Sequence, residues 1–380
     1  MKPLFRTLQP HEQPLCLQLW TRVFSPGEDY FVRYFEDPFW KPAYTRVCEL
    51  NGQLVAAVQI VRRPMRLNGQ CVWMAGIANV ATLPDYRGRG FASHLMQEAH
   101  EVIDSEDFLF GLLFTGIHDF YARLGWETLA LPLPVSAPQP MPLASDWRFR
   151  TAEPADLPQV QRWHERTYAH HPFTVIRDEA YWRIWLRWDD ESWRRSFYIA
   201  ECAGEPLGYL AIETHYRRTD DGSRQVEAIS LTEMGIDSWE PEIITAFVSF
   251  VNNMALQAGA ESIRWFVSLP ETARFLKPLL PSLQFVVQHH PMVRVGRRER
   301  LWKAFEQLSG APPPAALEPL SVAQSLRLLF GLYGASDMSD LSDISDLSDM
   351  SDLSDMSNLS EALKKRYPPR PALFLPADSF

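Results

Sequence analysis

The hexapeptide Arg87-Gly88-Arg89-Gly90-Phe91-Ala92 lies between a predicted long strand, residues 71–83, and a predicted amphipathic helix, residues 91–103. Its two glycines allow a tight turn that presents backbone N–H groups. The start of the helix adds further N–H groups and the positive end of the helix dipole. Arg87 and Arg89 supply positive charge that suits a phosphate. The stretch therefore predicts a strand–loop–helix unit that binds a pyrophosphate.

Predicted strands and helices continue on both sides of this unit. Before it, apolar periodicity predicts a strand, two helices and a hairpin around Asn51-Gly52. After it, the pattern predicts a buried strand at 108–115, a short helix at 118–124 and a last strand at 126–131. Five prolines between 132 and 142 then predict a stiff linker. The pattern indicates an α+β domain over residues 1–133.

The chain repeats itself in two places. FRTLQPHEQP at 5–14 is echoed by FRTAEPADLP at 149–158, and ELNGQLVAAV at 49–58 by ECAGEPLGYL at 201–210. Two echoes in the same order predict a duplicated domain of about 145–150 residues. The second copy would cover residues 147–295. At the place of the glycine loop it reads GIDSWEPE, 235–242, with no glycine pair and with acids that would repel a pyrophosphate.

The C-terminal region, residues 296–380, differs from both copies. Helices are predicted at 297–308 and 321–333, and eight triplets of the S-D-Φ type follow at 336–359, the last being Ser357-Asn358-Leu359. A period of three fits neither a helix nor a strand, so the triplets favour a flexible, charged linker, with binding to a surface as the alternative.

Composition limits the classes of function. The net charge is −10, and the triplets alone carry seven aspartates. The chain therefore has no surplus of basic residues of the kind that indicates nucleic-acid binding. The four cysteines are widely spaced and form no Cys/His cluster, which predicts buried thiols, a reducing compartment and no metal. The N-terminus lacks the apolar run of a signal peptide, and no segment is long enough to span a membrane. We therefore expect a cytoplasmic protein.

Two motifs in order resemble the GNAT superfamily of N-acetyltransferases. The family pattern Q/R-x-x-G-x-G/A is matched by residues 87–92, and an FYxxxGW-like segment is present from Phe120 to Trp126. The resemblance implies mixed, mostly antiparallel sheets flanked by helices, with acetyl-CoA as the cosubstrate. It also implies that the strand before the loop splays from strand 108–115 and holds pantetheine in the wedge. By that mapping the cofactor-binding residues are Val80, Ala81, Thr82, Arg87, Gly88, Arg89, Gly90, Phe91, Ala92, Ser93, Gly116 and Ile117.

The implied reaction is attack of a neutral primary amine on the thioester. The departing thiolate then needs a proton, and Tyr121, whose phenol has a pKa near 10 in water, is the candidate acid. Simple packing of Tyr121 on Trp126 is the alternative. The acceptor is a primary amine on a small molecule or a peptide. Two other functions stay open: a protein acetyltransferase acting at lysine or the N-terminus, and a non-catalytic scaffold that binds CoA.

The duplication resembles the tandem-GNAT group that includes the enhanced intracellular survival acetyltransferases. That resemblance implies a third, sterol-carrier-like domain, whose last residue lends its α-carboxylate to the first domain as the base. Here the last residue is Phe380, but 296–380 is too short for the complete domain and looks truncated. The oligomeric state is left open, with a homo-oligomer among the options.

Overall fold

Two mixed β-sheets, each flanked by helices, form the framework of the chain. A computed structural model describes residues 2–24, 26–219, 222–265, 270–309 and 321–329. Within these residues the strands form two sheets of seven strands each. The triplet segment 336–359 and Phe380 lie outside the described residues.

The first sheet carries the predicted strand–loop–helix unit. Its strands from the first half of the chain are β1 (Leu4–Thr7), β2 (Thr45–Leu50), β3 (Gln53–Leu67), β4 (Gln70–Thr82), β5 (Phe108–Phe114) and β6 (Glu127–Thr128). Its helices are α1 (Gln13–Val23), α2 (Glu28–Glu36), α3 (Phe91–Ser105) and α4 (His118–Ala122). The β4–β5 pair is parallel, whereas β1 to β4 pair antiparallel to one another.

The second sheet repeats this arrangement, which confirms the predicted tandem α+β fold. Its strands include β7 (Leu131–Ser136), β8 (Trp147–Thr151), β9 (Phe197–Cys202), β10 (Glu205–Arg218), β11 (Arg224–Ile236), β12 (Ser262–Trp265) and β13 (Gln284–Gln288). Its helices are α5 (Leu157–Tyr168), α6 (Glu179–Ile184), α7 (Glu191–Arg194), α8 (Pro241–Ala258) and α9 (Pro270–Leu279). As in the first sheet, one central pair, β11–β12, is parallel.

The two sheets exchange one inner strand each. The last strand, β14 (Pro291–Arg294), leaves the second half and lies between β5 and β6 of the first sheet. In return β7 lies between β12 and β13 of the second sheet. The boundaries expected at 133, 147 and 295 therefore do not coincide with the division between the sheets. Local periodicity misses the exchange because each strand completes a sheet that is distant in sequence.

The proline-rich linker is in part a strand, which corrects the sequence prediction. Pro132 and Pro134 are alternate residues of β7, opposite Val287 and Phe285 of β13. Alternate residues of a strand point their N–H groups to the same side. The two N–H groups that proline lacks are therefore missing from one edge of β7, and the hydrogen bonds along its other edge are unaffected. The β12 strand pairs only with Val135 and Ser136, beyond the prolines.

Aromatic residues of α2 pack between the two halves. Phe31 and Tyr34 are buried in one cluster with Trp182 and Trp185 of the second half. The Tyr34 and Trp185 rings meet edge to face at 5.0 Å. Beside them the buried Arg63 guanidinium pairs with Asp37 at 2.6 Å, and the Trp185 indole N–H donates to the same carboxylate at 2.9 Å. These α2 rings therefore form core.

Two helices from the C-terminal region cover the first sheet beside β14. They are α10 (Arg298–Ser309) and α11 (Val322–Leu329), as the sequence predicted in both places. Leu301, Phe305 and Leu326 are buried in one cluster with side chains of β5 and β14. The Glu127 carboxylate accepts the N–H groups of Val322 at 3.2 Å and Ala323 at 2.9 Å, which caps α11.

Trp126 packs under β5 against a buried histidine. An added Cβ at Gly111 would lie 2.8 Å from the indole ring, so only glycine leaves room for it there. The Trp126 indole N–H donates to Nε2 of His100 at 2.9 Å. Burial, helped by the Arg294 guanidinium, lowers the pKa of His100 from 6.5 to about 4. The folded state thus keeps His100 neutral.

We predict that this histidine makes folding sensitive to acid. The unfolded chain protonates His100 near its ordinary pKa of 6.5, whereas the fold resists protonation until about pH 4. Stability from this group is present above pH 6.5 and declines between pH 6.5 and 4, by up to about 3 kcal/mol. Denaturant unfolding at several pH values measures the loss. The His100→Gln variant, which keeps an acceptor for Trp126, should lose less stability over that window; an equal loss would contradict the assignment.

We also predict that the exchange holds the halves together after the chain is cut. A protease site inserted between the exposed residues Ala144 and Ser145 would separate β7 from β8. Because each piece supplies an inner strand to the other sheet, the cleaved pieces should co-elute in size-exclusion chromatography and unfold in one transition. The uncleaved insertion protein is the control. Separation of the pieces without denaturant would contradict the exchange.

Candidate active site

The loop between β4 and α3 has the backbone that the sequence predicted for a pyrophosphate cradle. Gly88 and Gly90 have φ values of +75° and +79°, in the left-handed region that glycine enters at low cost. No heavy atom lies within 4 Å of a Cβ built at either position, so the loop faces open space. Gly90 is the N-cap of α3 and leaves the first amides of that helix uncapped by any side chain. These N–H groups are free to meet an anion.

Two arginines of this loop have no carboxylate partner among the described residues. The Arg87 Nε donates to the Thr82 carbonyl at 3.2 Å, and Arg89 Nη2 donates to the Asp85 carbonyl at 3.2 Å. Both side chains are exposed. Carbonyl contacts hold the guanidinium groups without neutralising their charge. The loop therefore combines uncapped amides, a helix N-terminus and two free positive charges.

β4 and β5 open into a wedge beside the loop. Their parallel ladder runs from Trp73 with Phe108 to Gly76 with Leu112. β4 then bulges at Asn79, which has φ +52°, and continues to Thr82 along β3. Among the described residues no strand pairs with the other side of β4 beyond Gly76. An extended ligand could therefore hydrogen-bond to this free edge as an added strand would.

The predicted pantetheine and thiol residues lie around this wedge. Val80 and Thr82 are half-buried and Ala81 is buried at the end of β4. Gly116 and Ile117 follow β5 and are exposed, Ile117 to 64%. The connectivity thus brings together the ends of both strands, the loop and the start of α3, where Phe91 is buried and Ala92 and Ser93 are half-buried.

Tyr121 lies on α4, which begins directly after the Gly116–Ile117 segment. The side chain is buried among residues of α3, β5 and Trp126. Its carbonyl accepts the N–H groups of Leu124 at 2.9 Å and Trp126 at 3.1 Å, so the turn that ends in Gly125 fixes its backbone. Burial raises the pKa of the Tyr121 phenol to about 12. The phenol therefore keeps its proton at neutral pH.

The second half lacks the equivalent loop. β11 ends at Ile236 and α8 begins at Pro241, so residues 237–240 join them and contain no glycine. Asp237 is paired with Arg166, and Ser238 donates to the Glu240 carboxylate at 2.9 Å. Pro241 at the first helical position has no N–H to offer an anion.

The sequence did not anticipate that residues of the second half reach this site. His289 and His290 lie beside the end of β5 because β14 follows them directly. The Thr115 N–H donates to the His290 carbonyl at 2.9 Å, and the His118 ring contacts the His289 carbonyl at 2.6 Å. No local signal marks a contact across 171 residues.

Other sequence expectations concern metals, thiols and membranes. No cluster of three or more His, Cys, Asp or Glu side chains among the described residues is arranged to hold a metal. Cys16 and Cys48 are buried as expected, but Cys71 is exposed, because it follows the tip of the β3–β4 hairpin. No helix in the described part of the chain is long and apolar enough to cross a membrane. Phe380 lies outside the described residues, so its expected role as the base stays a prediction.

The chain was compared with known families and proteins. The family model of the acetyltransferase (GNAT) domain matches residues 5–129, which hold the loop, the wedge and Tyr121. No curated protein matches the chain significantly in sequence.

Solved structures share the architecture at low sequence identity. A conserved protein of unknown function from Enterococcus faecalis, described as a probable N-acyltransferase, is 17% identical with a TM-score of 0.58, over 80% of this chain and 75% of that one. A GCN5-related N-acetyltransferase from Anabaena variabilis is 18% identical with a TM-score of 0.57, over 80% and 75%. Eis1 from Mycobacterium abscessus is 16% identical with a TM-score of 0.52, over 80% and 76%.

These structural similarities establish the fold, and their coverage is too large for one half of the chain alone. The family match identifies the activity, because the matched residues include the glycine loop between β4 and α3. Residues 5–129 are therefore an acetyltransferase domain of the GNAT family, set in a tandem fold, and the chain is an N-acetyltransferase.

Proposed function

We propose that the first half binds acetyl-CoA and transfers the acetyl group to a primary amine by direct attack on the thioester. The observation that carries the proposal is the meeting of three features at the ends of β4 and β5: the glycine loop, the open strand edge and the buried phenol of Tyr121. The second half, whose loop has no glycine pair, would bind no cofactor.

Each part of acetyl-CoA has a matching part of the site in this proposal. The pyrophosphate lies on the amides from Gly88 to Ser93, between Arg87 and Arg89. The pantetheine arm pairs with the backbone of Val80, Ala81 and Thr82 as an added strand. The thioester then reaches Gly116 and Ile117. Main-chain N–H groups of the free β4 edge are the donors available for a developing oxyanion.

The reaction forms a C–N bond and breaks a C–S bond. The neutral amine attacks the thioester carbonyl, and the tetrahedral intermediate collapses with cleavage of the C–S bond, whose electron pair stays on the sulfur. Tyr121 gives its proton to the sulfur, and the proton lost by the nitrogen restores the phenol through solvent. Free CoA and the acetylated amine are the products.

Burial makes Tyr121 a weaker acid than its sequence alone suggested. Its pKa of about 12 lies well above that of a thiol, near 8.5, so complete transfer to a free thiolate is unfavourable by a factor of about 10³–10⁴. Donation concerted with C–S cleavage avoids a free thiolate. The high pKa has a second consequence: the phenol stays protonated at every pH well below 12.

The acceptor is proposed to be a primary amine on a small molecule or a peptide. Transfer to lysine side chains or protein N-termini is the alternative within the same chemistry. A screen for thiol release across polyamines, amino acids, aminoglycosides and peptides distinguishes the two. Binding of CoA without thiol release from any amine would support the scaffold function instead.

We predict that Gly90→Val abolishes cofactor binding while the fold persists. Valine strains the left-handed backbone by about 1–2 kcal/mol and displaces the amides that face the pyrophosphate. Calorimetric titration with acetyl-CoA should give about one site per wild-type chain and no measurable binding in the variant.

Gly204→Val is the matched control, because Gly204 has φ +88° and equally open space in the β9–β10 hairpin. It should lose similar stability and keep full affinity for acetyl-CoA. Equal affinities of the two variants would refute the assignment of the loop to the pyrophosphate.

We predict that Tyr121→Phe lowers kcat by about 10²-fold with little change in the affinity for acetyl-CoA. The variant removes the proton donor and keeps the buried ring. Because the phenol of the wild type stays protonated to about pH 12, Tyr121 should cause no decline of its rate between pH 7 and 10. Thiol-release kinetics measure both quantities, and an unchanged kcat would show that another group protonates the sulfur.

A further inference from the structure

We propose that His118 is a positioning residue, which holds the start of α4 against the second half and so fixes Tyr121 for proton transfer. The inference rests on the proposed role of Tyr121. It assigns a part in catalysis to a contact between the two halves, His118 to His289, that neither the motifs nor the family match contains.

The segment before α4 has few other constraints. Gly116 has no side chain, and Ile117 is 64% exposed. The Ile117 N–H donates to the Thr115 hydroxyl at 3.0 Å. The next fixed point is the His118 ring, whose Nε2 lies 2.6 Å from the His289 carbonyl oxygen. α4 itself is one turn long, so His118 at its start lies within one turn of Tyr121.

The partner atom determines the tautomer of His118. A carbonyl oxygen only accepts, so Nε2 must carry the hydrogen and donate it. His289 is itself held, because the neighbouring His290 carbonyl accepts the Thr115 N–H at 2.9 Å and β14 follows in the first sheet. The hydrogen bond therefore anchors α4 to a strand that the second half inserts.

The geometry also sets this role apart from that of a general base. His289 is next to β14, and β14 pairs with the side of β5 away from β4. The His118 donor thus points away from the wedge in which the thioester is proposed to lie. Its effect on the reaction would pass through Tyr121.

Four variants of the full chain test this: His118→Phe, His118→Gln, Tyr121→Phe and the double variant His118→Phe/Tyr121→Phe. Phenylalanine keeps a ring and loses the donor, whereas glutamine can place an N–H near the same carbonyl. We expect His118→Phe to lower kcat about 5- to 10-fold, the usual effect of one lost hydrogen bond, and to leave KM for acetyl-CoA within about twofold. His118→Gln should restore kcat to within about twofold of wild type.

The double variant separates positioning from general damage. If His118 acts through Tyr121, its loss should have no further effect once the phenol is gone. Equal fold-losses in both backgrounds would overturn the proposal, because a purely structural defect lowers both rates alike. A wild-type rate in His118→Phe, or no rescue by glutamine, would also overturn it. Failure of the proposed function would give a different result. In that case the wild-type chain would release no thiol from acetyl-CoA, or the kcat of Tyr121→Phe would equal that of the wild type.

Discussion

The insertion of β14 between β5 and β6 is the constraint on which the rest of the first half depends. Its register, Pro291 opposite Phe114 through Arg294 opposite Gly111, completes the sheet that carries the glycine loop. From this strand the Arg294 guanidinium reaches α3 and pairs with both oxygens of Asp104, at 2.7 and 2.8 Å. α3 carries the glycine loop at its other end. One strand of the second half therefore braces both the helix that follows the glycine loop and the end of β5.

The buried contacts between the halves make this dependence mutual. The Asp37 carboxylate lies between the Arg63 guanidinium and the Trp185 indole, and the guanidinium also stacks on that indole at 3.9 Å. A buried ion pair adds little net stability, but loss of one partner leaves an uncompensated charge and costs about 3–5 kcal/mol. A chain with its halves apart would expose this pair and the aromatic cluster around it. The two sheets are thus joined by a shared buried cluster of side chains.

The two copies have diverged at the same structural positions. Both β4 and β11 bulge near their ends, which is the feature that turns β4 away from β5. In β11 the residue beside the bulge is Glu233, fully buried in a pair with Arg177 at 2.7 Å and bonded to the Tyr209 hydroxyl. In β4 the residue beside Asn79 of the bulge is Val80, which is uncharged. The second copy has thus filled this part of its interior with a charged network, while its loop has lost the glycines.

The sequence by itself determined the elements of the first half that depend on neighbours along the chain. Helical spacing in α3, the Asn51-Gly52 turn between β2 and β3, and the two glycines of the loop predicted these elements and their order, because these are local constraints on the backbone. The echoes at 5–14 and 149–158 predicted the tandem fold. Tertiary structure alone decided the exchange of β7 and β14, which overrode the proline-rich linker, and the arrival of His289 beside His118. It also decided the acidity of Tyr121, since burial depends on side chains far away in sequence. Strand partners and desolvation are properties of the whole fold, and no local pattern encodes them.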